Sequence, residues 1–207
     1  MRVGVVGCGN VGFAFLAWLS NQGHDVLGFD TAKEVQKRIK LTVGEKAVAE
    51  NIDSLSICDC IFICVPTEPA DNTSADLSIY KSVIIQLAAI LDKKKNVSII
   101  QRSTCPPGSA YYFSSFFPSN ISYGVNPSFL RKASIIVDTE APDRIAYAGD
   151  DLVQNHLGEI YKQIKAPRFI TKNLSSVELL KYVENTTDSM LISFWNMQSY
   201  LALQYQQ

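Results

Sequence analysis

Gly7-Cys8-Gly9-Asn10-Val11-Gly12 spells G-x-G-x-x-G, and the residues on both sides are those the pattern needs to hold a dinucleotide. A short β-branched run, Val3–Val6, precedes it, and Val11, Phe15, Trp18 and Leu19 follow at helical spacing. In that setting Gly7 permits a tight turn, Gly9 lets the backbone approach a pyrophosphate, and Gly12 lets helix and strand pack closely. The helix N-terminus supplies N–H donors and the positive end of its dipole, which makes Asn10 and Val11 part of the expected contact. Asp30 closes the second strand, 18 residues after Gly12. A carboxylate there accepts hydrogen bonds from the adenosine ribose and repels a 2′-phosphate, so NAD is expected over NADP. The plainer alternative is a glycine-rich turn that only packs.

Other chemically capable residues carry weaker signals. Cys58, Cys60 and Cys64 fall close together. Cysteines two apart share a strand face, but no histidine lies nearby and buried strands commonly hold thiols, so no metal is expected. Lys181 and Asn185 are four apart and would share a helix face; by themselves they read as a polar stripe. His24 begins a strand and reads as a turn histidine. The Lys93-Lys94-Lys95 run reads as a solvated turn after a helix end, where cations suit the dipole.

These residues must be positioned by regular elements. Gly23 stops the first helix and Asp25–Asp30 reads as the second strand. Lys33–Lys40 reads as a short helix and Ile57–Val65 as a strand buried on both faces. Ala75–Leu91 reads as an apolar-rich helix with Asp76 as its cap, and Val97–Arg102 as a strand closed by Pro106-Pro107-Gly108. Short segments at Ser109–Phe117, Ile121–Val125 and Ile145–Ala148 lead into a helix over Leu152–Ile164. Such alternation predicts an α/β fold, a doubly wound Rossmann-type, mostly parallel sheet with helices on both faces.

From Ser175 to Tyr205 there is neither Gly nor Pro. Leu180, Val183, Thr187, Met190, Phe194, Met197 and Leu201 alternate spacings of three and four, which predicts one rod of about 46 Å. Residues 1–172 are expected to form the dinucleotide-binding domain and 173–207 the long helix. Part of its apolar stripe needs a second surface, which a homodimer would provide.

The composition narrows the class. Among 207 residues, 19 Lys+Arg oppose 20 Asp+Glu, a net charge of −1, which argues against nucleic-acid binding by bulk positive charge. No apolar run reaches the ~18 residues of a membrane span, and the N-terminus lacks the features of a signal peptide. Five cysteines, several in apolar runs, fit a reduced, cytoplasmic protein.

Several segments, taken in order, resemble one family. Phe62-Ile63-Cys64-Val65-Pro66-Thr67-Glu68-Pro69 resembles the "VPTP" strand end of the UDP-glucose/GDP-mannose dehydrogenases, and Ser74-Ala75-Asp76-Leu77-Ser78 the start of their next helix. Ser103-Thr104-Cys105-Pro106-Pro107-Gly108-Ser109 resembles their "STVPPGT" turn, and Asn126-Pro127-Ser128-Phe129-Leu130-Arg131-Lys132 their "NPEFLREG" substrate loop. Pro142-Asp143-Arg144-Ile145 is similar to "PDRIV", and residues 176–196 are similar to the opening of the central helix.

The resemblance implies an NAD-dependent enzyme that oxidises the C6 alcohol of a nucleotide sugar, such as UDP-glucose, twice. An aldehyde forms first; a cysteine thiohemiacetal is then oxidised to a thioester, which water hydrolyses. It further implies that Val65, Pro66, Thr67, Ser103 and Thr104 lie along the cofactor, with Thr104 also holding the catalytic water. Lys181 and Asn185 would stabilise the developing oxyanion, and Phe129, Leu130 and Arg131 would line the sugar-nucleotide site together with them.

Three departures qualify that picture. The family's reactive cysteine lies in a "GFGGSCFPKD" segment downstream of the central helix, beyond the end of this sequence, and so does the second nucleotide-binding domain. Ser128 and Lys132 stand where the substrate loop has glutamates, and neither replaces a carboxylate as a base. Cys105 stands where valine is usual, a candidate substitute nucleophile with no visible base. The sequence therefore predicts a dehydrogenase half that is incomplete alone, completed by a separate cysteine-bearing chain or left as a truncated half. The rival readings are a non-catalytic NAD-binding or partner-binding module, and a 3-hydroxyacid dehydrogenase of the 6-phosphogluconate type.

Overall fold

The computed structural model describes residues 1–70, 74–91 and 96–205. Strands β1 (Arg2–Val6), β2 (Asp25–Phe29), β3 (Cys60–Ile63), β4 (Val97–Gln101), β5 (Ile121–Val125), β6 (Ile145–Ala148) and β7 (Arg168–Thr171) form one sheet in the order β2-β1-β3-β4-β5-β6-β7. All neighbouring pairs are parallel except β5 and β6, which meet antiparallel at Val125 and Ala148. Strand order reverses between β1 and β3, so the crevice for a ligand opens at the carboxyl ends of these two strands.

Both faces of the sheet are covered, which is why β3 reads as a continuous apolar run. Ile61 and Ile63 pack on one side with Tyr80, Ile84 and Leu87 of α3 (Ser78–Leu91), Phe113 of α4 (Ser109–Ser114) and Val177 of α7 (Leu174–Gln204). Cys60 and Phe62 pack on the other side with Phe15, Leu16 and Leu19 of α1 (Asn10–Asn21) and Val153 and Leu157 of α6 (Asp151–Ile160). This is the doubly wound, Rossmann-type α/β fold that the alternation of elements implied.

Several boundaries differ from expectation for local reasons. The strand expected over Ile57–Val65 is only Cys60–Ile63, because Ile52–Ile57 forms a 3₁₀ helix whose cap, Asn51, accepts the Ser54 N–H at 3.0 Å. Asp76 accepts the Ser78 N–H at 2.8 Å, and α3 begins there rather than at Ala75. Helix α6 stops at Ile160, and Asp150 caps its start through the Val153 N–H. Helices α2 (Lys33–Thr42) and α5 (Ile135–Glu140) complete the set of α-helices among the described residues. The lysine run at 93–95 lies outside the described residues.

Helix α7 spans 31 residues and is capped by the Asn173 side chain, which accepts the Ser176 N–H at 3.2 Å. Only Leu174, Val177 and Glu178 are buried. Beyond them the helix exposes Val183, Met190, Leu191, Ile192, Phe194, Trp195, Met197 and Leu201, so the apolar surface runs around it rather than along one stripe. Among the described residues no helix is long and apolar enough to cross a membrane.

Candidate functional site

The glycine loop joins β1 to α1 across the mouth of the crevice. Gly7 has φ +83°, a conformation that side chains disfavour, and its N–H donates to Phe29 O at 2.9 Å, tying the loop to β2. A Cβ on Gly12 would lie 2.0 Å from Gly7 O, so only glycine lets the helix start this close to the strand. A Cβ on Gly9 would meet nothing within 4 Å, leaving open space above the backbone. No side chain caps α1, and the N–H groups of its first turn, at Asn10 and Val11, remain for an anion. These features fit a pyrophosphate.

Asp30 does more than wait for a ribose. Its carboxylate accepts the Cys8 N–H at 2.8 Å and the Ala32 N–H at 2.9 Å, bracing the loop from β2. A carboxylate offers about four acceptor positions, so room remains for ribose hydroxyls. Arg38 of α2 holds the same loop by its carbonyls, donating to Cys8 O and Gly9 O at 3.1 Å with its guanidinium 3.7 Å above the Phe13 ring. Sequence reasoning passed over Arg38, which reads as one of several surface cations on a short helix.

Two further turns rise at the carboxyl ends of β3 and β4 and brace each other. The Thr67 hydroxyl donates to Thr104 O at 2.7 Å, and the Ser103 hydroxyl donates to Val65 O at 2.6 Å. Val65 is buried and Pro66 exposed at the crest of the first turn. Beneath the second turn lies a carboxylate that the sequence did not flag. Glu178 is 2% exposed and accepts from Gln101 Nε2 at 2.7 Å, Gly108 N at 2.7 Å and Ala110 N at 2.9 Å. Burial pushes its carboxyl above the usual glutamate range, and those three donors oppose the rise. Its signal was position: with Leu174 and Val177 it sits at i, i+3 and i+4 on the helix face turned to the core.

Phe129, Leu130, Arg131, Lys181 and Asn185 come together in an open cleft of about 510 Å³ between the loop after β5 and the first turns of α7. Lys181 Nζ and the Arg144 guanidinium lie 5.1 and 5.2 Å from the Phe129 ring centre, a cation–π arrangement. Glu184 bridges these cations, accepting from Lys181 at 3.2 Å and pairing with Arg144. Arg131 is fixed by Asp138, to which its backbone N–H donates at 2.8 Å and its Nε at 3.1 Å. The side-chain and backbone hydrogen bonds from Arg131 hold the Asp138 carboxyl well below the usual range. Thr104 is not among the cleft-lining residues; it lies in the turn after β4, where its carbonyl accepts from Thr67.

The cysteines are not arranged for chemistry. Cys8, Cys60 and Cys105 are buried, and desolvation pushes each thiol up; at Cys105 the nearby Glu178 adds to the rise. Cys64 is pushed up to about 12 by burial, with Arg102 opposing. Cys105, 1% exposed, thus presents no accessible thiol for the role of substitute nucleophile. No cluster of three or more metal-ligating side chains occurs among the described residues.

Comparison with known proteins agrees with this geometry. The family model for the NAD-binding domain of the UDP-glucose/GDP-mannose dehydrogenases matches residues 1–165. The Bacillus subtilis protein YtcA, which carries a provisional UDP-glucose 6-dehydrogenase name, is 32% identical; the match covers all of this chain and 53% of YtcA. A GDP-mannose 6-dehydrogenase of Pseudomonas aeruginosa is 26% identical over 95% of this chain and 52% of its own length. The solved UDP-glucose dehydrogenase of the archaeon Pyrobaculum islandicum superposes with a TM-score of 0.86 at 26% identity, covering 93% of this chain and 51% of that one. The chain thus spans about half the length of the relatives it matches. It belongs to the UDP-glucose/GDP-mannose dehydrogenase family, and the part folded around the glycine loop is that family's NAD-binding domain.

Proposed function

We propose that this chain supplies the cofactor half and the sugar-facing helix of an NAD-dependent nucleotide-sugar dehydrogenase of the UDP-glucose 6-dehydrogenase type. One observation carries the reading. Helix α7 brings Lys181 and Asn185 into the same cleft as Phe129, Leu130 and Arg131, while its Glu178 is fastened to the turn that bears Thr104. Bound NAD would accept hydride from the sugar C6. The Lys181 ammonium and Asn185 amide would donate to the oxygen on which charge develops, work for which a preformed donor is worth roughly 3 kcal/mol. Glu184 keeps the Lys181 side chain in place, and the Phe129 face favours its charge. Thr67 and Thr104 would line the cofactor, with Thr104 available to hold a water.

Residues 1–172 then act as the cofactor domain and 173–207 as the start of a central helix. The reducing cytoplasm suits its five cysteines. Oxidation to the acid needs an accessible thiolate; Cys8, Cys58, Cys60 and Cys105 are buried and burial pushes the Cys64 thiol up to about 12, so none of the five offers one. We therefore propose that turnover requires a polypeptide bearing the family's cysteine segment. The buried thiols, with Ser128 and Lys132 in the loop, also favour a second reading, an NAD-binding module that does not turn over.

The test is absorbance at the NADH band with UDP-glucose, UDP-N-acetyl sugars and GDP-mannose in turn. The 207-residue chain should be silent, and adding a cysteine-domain polypeptide should yield two NADH per sugar. Two NADH per sugar from the chain alone overturns the need for a completing polypeptide. Silence with every sugar in the complemented mixture favours the non-catalytic module.

A further inference from the structure

Glu178 does not touch the cleft, yet its bonds join the parts that the proposed reaction must keep in register. Its carboxylate holds both ends of the turn that follows β4. Gln101 donates from the start of that turn, and the N–H groups of Gly108 and Ala110 donate from its end, at 2.7, 2.7 and 2.9 Å. Gly108 has φ +95°, a left-handed conformation that favours glycine at this bend. Ser103 and Thr104 lie between those anchors.

The carboxylate also ends a buried chain of hydrogen bonds. Tyr80 and Tyr123 share one at 2.8 Å, and the Tyr123 hydroxyl donates to Gln101 Oε1 at 3.2 Å. That bond fixes the Gln101 amide so that its Nε2 faces Glu178. Networks of this kind, with every member satisfied, hold one arrangement of the elements they join. On α7, Glu178, Lys181 and Asn185 stand at i, i+3 and i+7, so the rotation fixed by the first sets the other two.

We propose that Glu178 is a positioning residue that couples the nicotinamide side of the cofactor site to the Lys181–Asn185 face of α7. The proposal rests on the NAD reading of the glycine loop. With the adenosine ribose at Asp30 on β2 and the pyrophosphate at the loop after β1, the other half of an extended dinucleotide runs across the ends of β3 and β4. There it meets the turn that Glu178 clasps. Replacing the carboxylate by an amide puts a donor against donors and frees that turn, leaving the adenosine end untouched.

The experiment compares NAD with ADP-ribose, which lacks the nicotinamide, by titration calorimetry on the whole chain. Glu178→Gln should bind NAD about tenfold more weakly, within the usual range of coupling between sites, and ADP-ribose within about twofold of the parent. A cooperative thermal melt shows that the variant is folded. If Glu178→Gln gives none, Glu178→Asp, which withdraws the charge by one methylene, is judged by the same criterion. Equal losses for both ligands overturn the proposal, as does unchanged NAD affinity in a folded variant. Failure of both variants to fold marks Glu178 as a folding residue and also overturns it. A parent chain that binds ADP-ribose but gains nothing from the nicotinamide overturns the coupling alone. A parent that binds neither overturns the NAD reading beneath it.

Discussion

The Asp30 carboxylate accepts the Cys8 backbone N–H at 2.8 Å, so the acid at the end of β2 and the glycine loop after β1 form one unit. Arg38 closes the unit from the other side through Cys8 O and Gly9 O. The loop is thus held by an acceptor on its donors and a donor on its acceptors before any ligand arrives.

Replacing Asp30 with alanine should weaken NAD binding by about tenfold or more, since hydrogen bonds to a charged group contribute ~1.5–3 kcal/mol. NADP should be affected less, because the same carboxylate repels its 2′-phosphate. Calorimetry with both dinucleotides measures the change in preference. An Asp30→Ala chain with the parent's preference would remove Asp30 from the cofactor site.

The thiols should be inert in the native state. Cys64, raised from 9.0 to about 12, forms thiolate only as pH climbs toward that value. At pH 8 its alkylation by iodoacetamide should run about a thousandfold slower than for an ordinary cysteine, the ratio of the two thiolate fractions. Cys8, Cys60 and Cys105 are shifted in the same direction and are less exposed to solvent than Cys64. Mass spectrometry after timed labelling reads this, and fast stoichiometric modification of Cys105 would restore it as a nucleophile.

Helix α7 should drive self-association. Ile192, Phe194, Trp195 and Met197 are exposed on it, Trp195 at 63%. Exposed apolar surface of this extent marks an interaction face in a soluble protein. Sedimentation at micromolar concentration should show a dimer or larger species, with Trp195→Glu shifting it toward monomer. A parent chain that sediments as a monomer would count against the helix as an interface.

What the sequence revealed and what it hid divide by range. The glycine loop was legible because its demands are local: positive φ at Gly7 and the approach of Gly12 to Gly7 O involve a handful of consecutive residues. Helix α7 was legible because no Gly or Pro interrupts its spacing. Strand β7 was not; Arg168–Thr171 is short, largely exposed and at the sheet edge, with no apolar run to betray it. Glu178 was hidden because its partners lie 68 to 77 residues earlier in the chain. The Arg144–Glu184 pair spans 40 residues for the same reason, and only the fold brings its two charges together.

Arg102, at 6% exposure, donates to Asn126 O and Oδ1 and to the Tyr161 hydroxyl, and its guanidinium lies 3.9 Å above the Phe15 ring. All of these partners are neutral. The charge is therefore distributed but not cancelled, and little water surrounds it to screen it. It already lowers the Cys64 pKa against the pull of burial. The carboxyl end of β4 thus carries two buried groups of opposite charge, the Arg102 guanidinium and the Glu178 carboxylate that Gln101 bonds. Any charged group reaching this end of the sheet is met by a pair of opposite charges whose separation the fold sets in advance.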